Sequence, residues 1–125
     1  MALNIVNVVF DCTDAAALAA FWSSVLNRPV DEGGNPFFST IGRQNPDEKA
    51  GPALMFIQVP ESKQTKNRLH LDLHADDDTG AAQVERVLGL GATKLSEHHE
   101  FGVHWVTFQD PEGNEFDLAV GADAG

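Results

Sequence analysis

Thiols, phenols and positive charge are what this chain has least of. Cys12 is its single cysteine and tyrosine is absent. One thiol excludes an intramolecular disulfide and any zinc site assembled from several thiolates. Without a phenol, tyrosine is removed as acid, base or nucleophile. Lys and Arg number 8 against 19 Asp and Glu, a formal net charge of −11. Such a surface offers a phosphate backbone no counterion release and repels anionic lipid, so neither nucleic acid nor membrane is expected as a partner. No uncharged apolar run approaches the roughly 18 residues a membrane span needs, and Met1-Ala2-Leu3-Asn4 lacks the positive start of a secretory leader. A cytoplasmic protein is expected. Ser23 and Ser24 lie in a helical stretch and no Gly-x-Ser-x-Gly elbow occurs, which argues against a serine hydrolase. Gly33-Gly34 and Gly89-x-Gly91 lack the strand-to-helix setting of a phosphate loop and read as turn and cap glycines.

What is present is an ordinary globular composition, 42% hydrophobic over 125 residues, which suggests one domain spanning 1–125. Ile5 to Asp11 is rich in β-branched residues and reads as a strand, with Thr13-Asp14 behind it as helix-capping residues. From Ala15 to Leu26 the apolar residues Leu18, Phe21, Trp22, Val25 and Leu26 recur at helical spacing. That stripe makes Phe21 and Trp22 core rather than a cofactor cradle. Short strands are expected at Val30–Asp31 and Phe37–Ile41 around a Gly- and Pro-containing reversal, and Arg43 to Pro52 reads as loop. Ala53 to Val59 is a continuous apolar strand closed by Pro60. Cys12 has no basic, histidine or thiol neighbour in its segment and reads as a small structural side chain.

A polar linker follows at 61–68, and Glu61 to Asn67 contains no apolar residue. The order of events then repeats. Leu69 to Ala75 alternates, with Leu69, Leu71 and Leu73 on one face and His70, Asp72 and His74 on the other. Asp76, Asp77 and Asp78 open a second helix, where carboxylates suit the positive end of the dipole, and Ala81, Val84, Val87 and Leu88 form its stripe. Strands are expected at Thr93–Glu97, Val103–Gln109 and Glu115–Val120. The last two are joined by Asp110-Pro111-Glu112-Gly113-Asn114, with Pro and Gly placed as a type I turn requires. His98 and His99 read as part of a solvated strand end and turn. Asn7 against His70 gives an offset of 63 residues (70 − 7). Two tandem βαβββ modules are therefore expected, 1–60 and 69–120.

The segments Ile5-Val-Asn-Val-Val-Phe-Asp11, Ala20-Phe21-Trp22, Val25-Leu26-Asn27-Arg28-Pro29, His70-Leu-Asp-Leu-His-Ala-Asp-Asp77, Leu90-Gly91-Ala92 and Trp105 to Leu118 resemble the vicinal oxygen chelate superfamily. Glyoxalase I, extradiol dioxygenases and the fosfomycin- and bleomycin-resistance proteins belong to it, and the short bacterial glyoxalase-like domain proteins are the nearest in kind. The resemblance implies an α+β fold in which curved sheets form a cup with helices outside. It also implies a homodimer, and metal ligands on the first and last strand of each module. Carried over residue by residue, the second module offers His70 and Asp117, both competent ligands for Zn, Ni, Fe or Mn. The first module offers only the neutral amide of Asn7. The offset from Asp117 lands on Leu54, and Ala50 to Pro60 contains no Asp, Glu or His.

His70 reads either as a metal ligand or as a sheet-face residue hydrogen-bonded to Asp72 or Asp117. Asp72 and His74 either join a pocket or are solvated near a strand end, and either His104 or Trp105 faces the cup. The expected ligand-binding set is thus His70, Asp117, Asn7, Asp72, His74, His104 and Trp105, with His70 and Asp117 as an incomplete metal pair. This set requires no cofactor, a weakly bound divalent ion (Zn, Ni, Fe or Mn) being the one alternative it leaves open. A small-molecule binder of the bleomycin-resistance kind is the first functional expectation. Its rivals are a metal-dependent lyase, isomerase or dioxygenase acting on vicinal oxygens, and a dimeric scaffold or regulatory protein without a ligand.

Overall fold

The computed structural model describes residues 3–75 and 80–122. The chain divides into two compact units, Met1–Ser62 and Lys63–Gly125, with the boundary inside the polar linker. Each unit is a mixed sheet with one helix, an α+β architecture.

In the first unit β1 (Asn7–Cys12) leads into α1 (Ala15–Leu26), followed by β2 (Phe38–Ile41) and β3 (Ala53–Gln58). The sheet order is β1-β3-β2, with β1 parallel and β2 antiparallel to β3. Helix α1 begins where Asp14, in extended conformation, accepts a hydrogen bond from the Ala17 N–H at 3.0 Å. It ends at Asn27 in the left-handed region, φ 54°, a conformation that short polar side chains tolerate. Its stripe is buried as the periodicity requires: Leu18, Phe21, Trp22 and Val25 are all in the core. Phe10 of β1 meets Trp22 at 5.5 Å and Phe56 of β3 at 5.2 Å between ring centroids. Burying such rings contributes about 1.5–3 kcal/mol each, so this cluster is the main adhesive of the unit. Cys12 is buried as well, its Sγ 3.5 Å from the Ile57 carbonyl oxygen.

The expected strand at Val30–Asp31 is reduced to an isolated bridge between Val30 and Ile41. Asp31 instead turns its carboxylate inward, where it accepts from the Thr40 hydroxyl at 2.6 Å and the Arg43 N–H at 2.9 Å. A buried carboxylate needs such partners, and they anchor the segment locally in place of a longer ladder. The loop after β2 holds one turn of 3₁₀ helix, Glu48–Ala50.

The second unit contains β4 (Leu71–His74), α2 (Gly80–Gly89), β5 (Thr93–Glu100), β6 (Val103–Gln109) and β7 (Glu115–Ala122). Its order is β4-β7-β6-β5, with β4 parallel to β7 and the other neighbours antiparallel. β4 is shorter than the alternation from Leu69 suggests, and His70 stands just before it. The expected opening of the second helix at Asp76–Asp78 lies outside the described residues. Val87 of α2 is buried and Val84 and Leu88 are half-buried, whereas Ala81 is exposed. Gly80 is there for space: a Cβ on it would meet the Val120 carbonyl oxygen at 2.8 Å and that of Ala119 at 2.9 Å, so α2 starts against the backbone of β7.

The turn between β6 and β7 is built by its own side chains. Asp110, buried, accepts from the N–H groups of Glu112 and Asn114, both at 2.9 Å, and the Gly113 N–H donates to the Asp110 carbonyl at 2.9 Å. β5 extends to Glu100, which places His98 and His99 inside a strand rather than in the expected turn. The antiparallel ladder with β6 decides this, pairing His98 with Trp105 and His99 with His104. The reversal itself occupies Phe101 and Gly102, both with positive φ (55° and 72°), as a two-residue hairpin turn of the primed type demands.

Candidate functional site

Register settles which side chains share a face. In the second unit Leu71 pairs with Phe116 and Leu73 with Leu118, while Asp72 pairs with Asp117 and His74 with Ala119. Phe116, Leu118, Phe108 and Val106 are buried in the core of this unit. The opposite face therefore carries Asp72, Asp117, Thr107 and Trp105. On this face lies a cavity of about 380 Å³ lined by His70, Asp72, Leu73, Phe101, Val103, Trp105, Asp117 and Ala119.

The polar end of the cavity is a compact cluster. His70 Nδ1 is 2.9 Å from Asp72 Oδ1 and 3.7 Å from Asp117 Oδ2. The Thr107 hydroxyl donates to the other Asp117 oxygen at 2.7 Å, fixing that carboxylate's orientation from the neighbouring strand. Asp117 is the more enclosed of the two acids, 19% exposed at its side chain against 74% for Asp72. The apolar end consists of Trp105, Val103 and Phe101, with Trp105 stacked on His98 at 4.9 Å between centroids. Phe101 is 92% exposed at the hairpin tip and sits in a backbone region that costs a non-glycine residue about 1–2 kcal/mol.

Four residues of the expected set thus come together: His70, Asp72, Trp105 and Asp117. His74 is exposed, with Nδ1 3.2 Å from the Ala75 carbonyl oxygen, and does not line the cavity. His104, one position from Trp105, points to the opposite face of β6, where Nε2 lies 2.7 Å from Glu97 Oε2. Asn7 belongs to the first unit, on the face of β1 turned away from α1. Its Oδ1 is buried and has no hydrogen-bond partner, an acceptor left open for a donor or cation. Pairing of β1 with β3 and of β4 with β7 corrects the counterpart of Asp117. Val8 opposes Leu54 as Leu71 opposes Phe116, so Asp117 corresponds to Met55 rather than Leu54. Neither residue is a competent ligand for a hard or borderline cation.

Sequence reasoning did not single out Thr107, Phe101 or Val103. The first and last were within reach of it, since Val103 and Thr107 share the alternation of Trp105. Phe101 gave no signal, because its place depends on where the hairpin reverses.

His70, Asp72 and Asp117 form one of two groups of potential metal ligands among the described residues, with ligand atoms all within 4.8 Å of one another. One imidazole and two carboxylates fit a divalent ion of the Mn, Fe, Ni or Zn type. The other group is Glu97, His99 and His104.

The sequence matches the family described as Glyoxalase-like domain over residues 7–119. No curated protein matches. Among solved structures, the chain is similar to a glyoxalase/bleomycin resistance protein/dioxygenase family enzyme from Burkholderia phytofirmans PsJN. The two are 17% identical with a TM-score of 0.74, covering 94% of this chain and 98% of that one. It is likewise similar to a mutant of the fosfomycin resistance protein FosX from Listeria monocytogenes complexed with Mn(II) and 1S,2S-dihydroxypropylphosphonic acid. There the identity is 17%, the TM-score 0.70, and coverage 97% of this chain and 90% of that one. A glyoxalase-related enzyme from Fulvimarina pelagi is 16% identical with a TM-score of 0.71, covering 94% of this chain and 88% of that one. The strand order of each unit, the match over nearly the whole sequence and these structural likenesses lead to one statement: the chain belongs to the glyoxalase-like domain family of the vicinal oxygen chelate superfamily.

Proposed function

We propose that this protein binds a small organic molecule in the cavity of its second unit, in the cytoplasm and as a homodimer. The observation that carries this reading is one cavity joining an ionisable end, His70, Asp72 and Asp117, to an aromatic end, Trp105 and Phe101. Small-molecule sites have this composition, mostly apolar wall with a few convergent polar groups that fix orientation. Two carboxylates at the polar end favour ligands with hydroxyl or amine donors over anions. Exposed Val9 and Phe38 in the first unit, with Phe101 and Val103 in the second, supply apolar surface that pairing of two copies covers.

A fragment screen followed by NMR tests the site. His70→Ala and Asp117→Ala weaken any ligand found while leaving the melting temperature nearly unchanged; wild-type affinity in both variants places the ligand elsewhere. Light scattering gives a mass of twice 13.5 kDa if the dimer forms, and 13.5 kDa across the micromolar range rules it out.

The second reading is a metal-dependent lyase, isomerase or dioxygenase, favoured by the closeness of the His70, Asp72 and Asp117 donors. These three residues would hold the ion, which when bound supplies Lewis-acid polarisation of vicinal oxygens. Thr107 orients Asp117 in either reading. The first-unit counterparts of these three residues are Asn7, Val9 and Met55, of which Asn7 alone is polar, so the first reading expects less than one ion per chain after gel filtration. One firmly held ion, lost on His70→Ala, puts the second reading first.

A further inference from the structure

On the opposite face of the β5–β6 hairpin from the cavity, three side chains converge without any part in the site described above. Glu97 Oε2 lies 2.7 Å from His104 Nε2 and 3.7 Å from His99 Nε2. His99 and His104 are directly opposed across the ladder, and their rings stack at 4.0 Å with 17° between planes. Nitrogen and oxygen ligands at about 2.0–2.1 Å from a tetrahedral ion lie about 3.3 Å from one another, a value that the two observed separations straddle. Glu97 and His99 are exposed and His104 partly so, which leaves their side chains room to turn toward that spacing.

Lys94 binds the other Glu97 oxygen, Oε1, at 2.7 Å. This leaves Oε2 directed at the two imidazoles and holds the carboxylate in place, the role outer partners play at metal sites. The same contact, with the His104 hydrogen bond second, keeps the Glu97 carboxyl deprotonated well below the ordinary carboxylate range. The ligand atoms sit on a two-stranded ladder rather than on a loop, so their spacing is set by backbone hydrogen bonds.

We propose that Glu97, His99 and His104 form a surface site for a borderline divalent transition metal, Zn²⁺ or Ni²⁺, separate from the His70 cavity. Two imidazoles and one carboxylate select such ions over Ca²⁺ and Mg²⁺, which want oxygen alone. Three protein ligands leave at least one coordination position to water or to a donor on another molecule. A net charge of −11 raises the local cation concentration. Bound metal would clamp β5 to β6 at the hairpin that also carries Phe101 and Val103 of the cavity.

The test is zinc chloride titrated by isothermal calorimetry, in a buffer that does not chelate, into four forms of the full chain. His70→Ala/Asp117→Ala retains one ion per chain with a micromolar Kd, as does His98→Ala, whose side chain lies on the other face of β5. His99→Ala/His104→Ala loses at least tenfold in affinity. The imidazole signals of His99 and His104, and not those of His70, shift with zinc in NMR spectra of the wild type. Zinc affinity unchanged in His99→Ala/His104→Ala, binding lost in His70→Ala/Asp117→Ala, or no saturation below millimolar zinc in the wild type would each overturn the proposal. All five substituted positions are at least partly exposed, and circular dichroism confirms that each variant is folded.

Discussion

In the first unit the strand positions turned away from α1 are mostly apolar, Val9, Phe38, Met55 and Ile57 with Asn7, Asp11 and Thr40 among them; in the second the corresponding face carries Asp72, Asp117, Thr107 and Trp105, with His70 at its edge. Both sheets have a parallel first strand beside the last strand. Their cores differ in the reverse sense. The first unit buries Leu18, Phe21, Trp22 and Phe56 around α1, whereas α2 contributes only Val87 and Gly80 to the buried set. One copy of the repeat is thus richer in cohesion and the other in chemistry. A strand face can be given over to carboxylates and imidazole because the opposite face, with its own alternation, still holds the helix.

The widest separation between the units is expected from core truncation. Trp22→Ala removes the ring that meets both Phe10 and Phe21 and should cost about 3–5 kcal/mol in urea unfolding, whereas Val87→Ala should cost about 2 kcal/mol. Equal losses would break the contrast.

Ligand affinity sharpens the same contrast from the other side. Asp117→Ala should weaken a bound small molecule by about tenfold to a hundredfold, the worth of one hydrogen bond to a charged group. Met55→Ala, its counterpart in the first unit, should change affinity less than threefold in the same fluorescence titration.

Phe101 offers a smaller effect with opposite signs for stability and binding. Phe101→Asn places a residue that tolerates positive φ before Gly102 and should stabilise the fold by about 1 kcal/mol. It should also weaken the ligand, because one aromatic wall of the cavity is gone. Stabilisation without loss of affinity would remove Phe101 from the site.

The smallest effect is electrostatic. Carbon-13 NMR of chelator-treated protein should show the Glu97 carboxyl titrating at about 2, depressed from 4.5 chiefly by the Lys94 hydrogen bond and next by that from His104. Lys94→Met should bring it back toward the ordinary value. Because the folded value is lowered, this interaction favours the folded state above the ordinary carboxylate range and fades as pH falls toward 2. An unmoved titration in Lys94→Met would assign the depression to His104 alone.

Much of the fold was legible in local pattern. The helical spacing of Leu18, Phe21, Trp22 and Val25 returned α1 at the bounds Ala15–Leu26, since a wide apolar stripe with an Asp cap has few other ways to be buried. The turn at Asp110–Asn114 was equally local, formed by one side chain and the backbone it serves. Extent failed where pairing decides it. β5 runs through His98 and His99 because β6 lies beside them, and the Val30–Asp31 strand shrinks to a bridge where the Asp31 carboxylate finds Thr40 and Arg43.

Alternation along one strand decided which residues share a face: His70 with Asp72, Val103 with Trp105 and Thr107, and His104 apart from them. Which face is open, and which residues of different strands meet on it, was decided only by tertiary structure. A strand's two faces are equivalent until a helix covers one of them. Cross-strand register then sets Asp72 beside Asp117 and His99 beside His104 through backbone hydrogen bonds whose partners lie far apart in the chain.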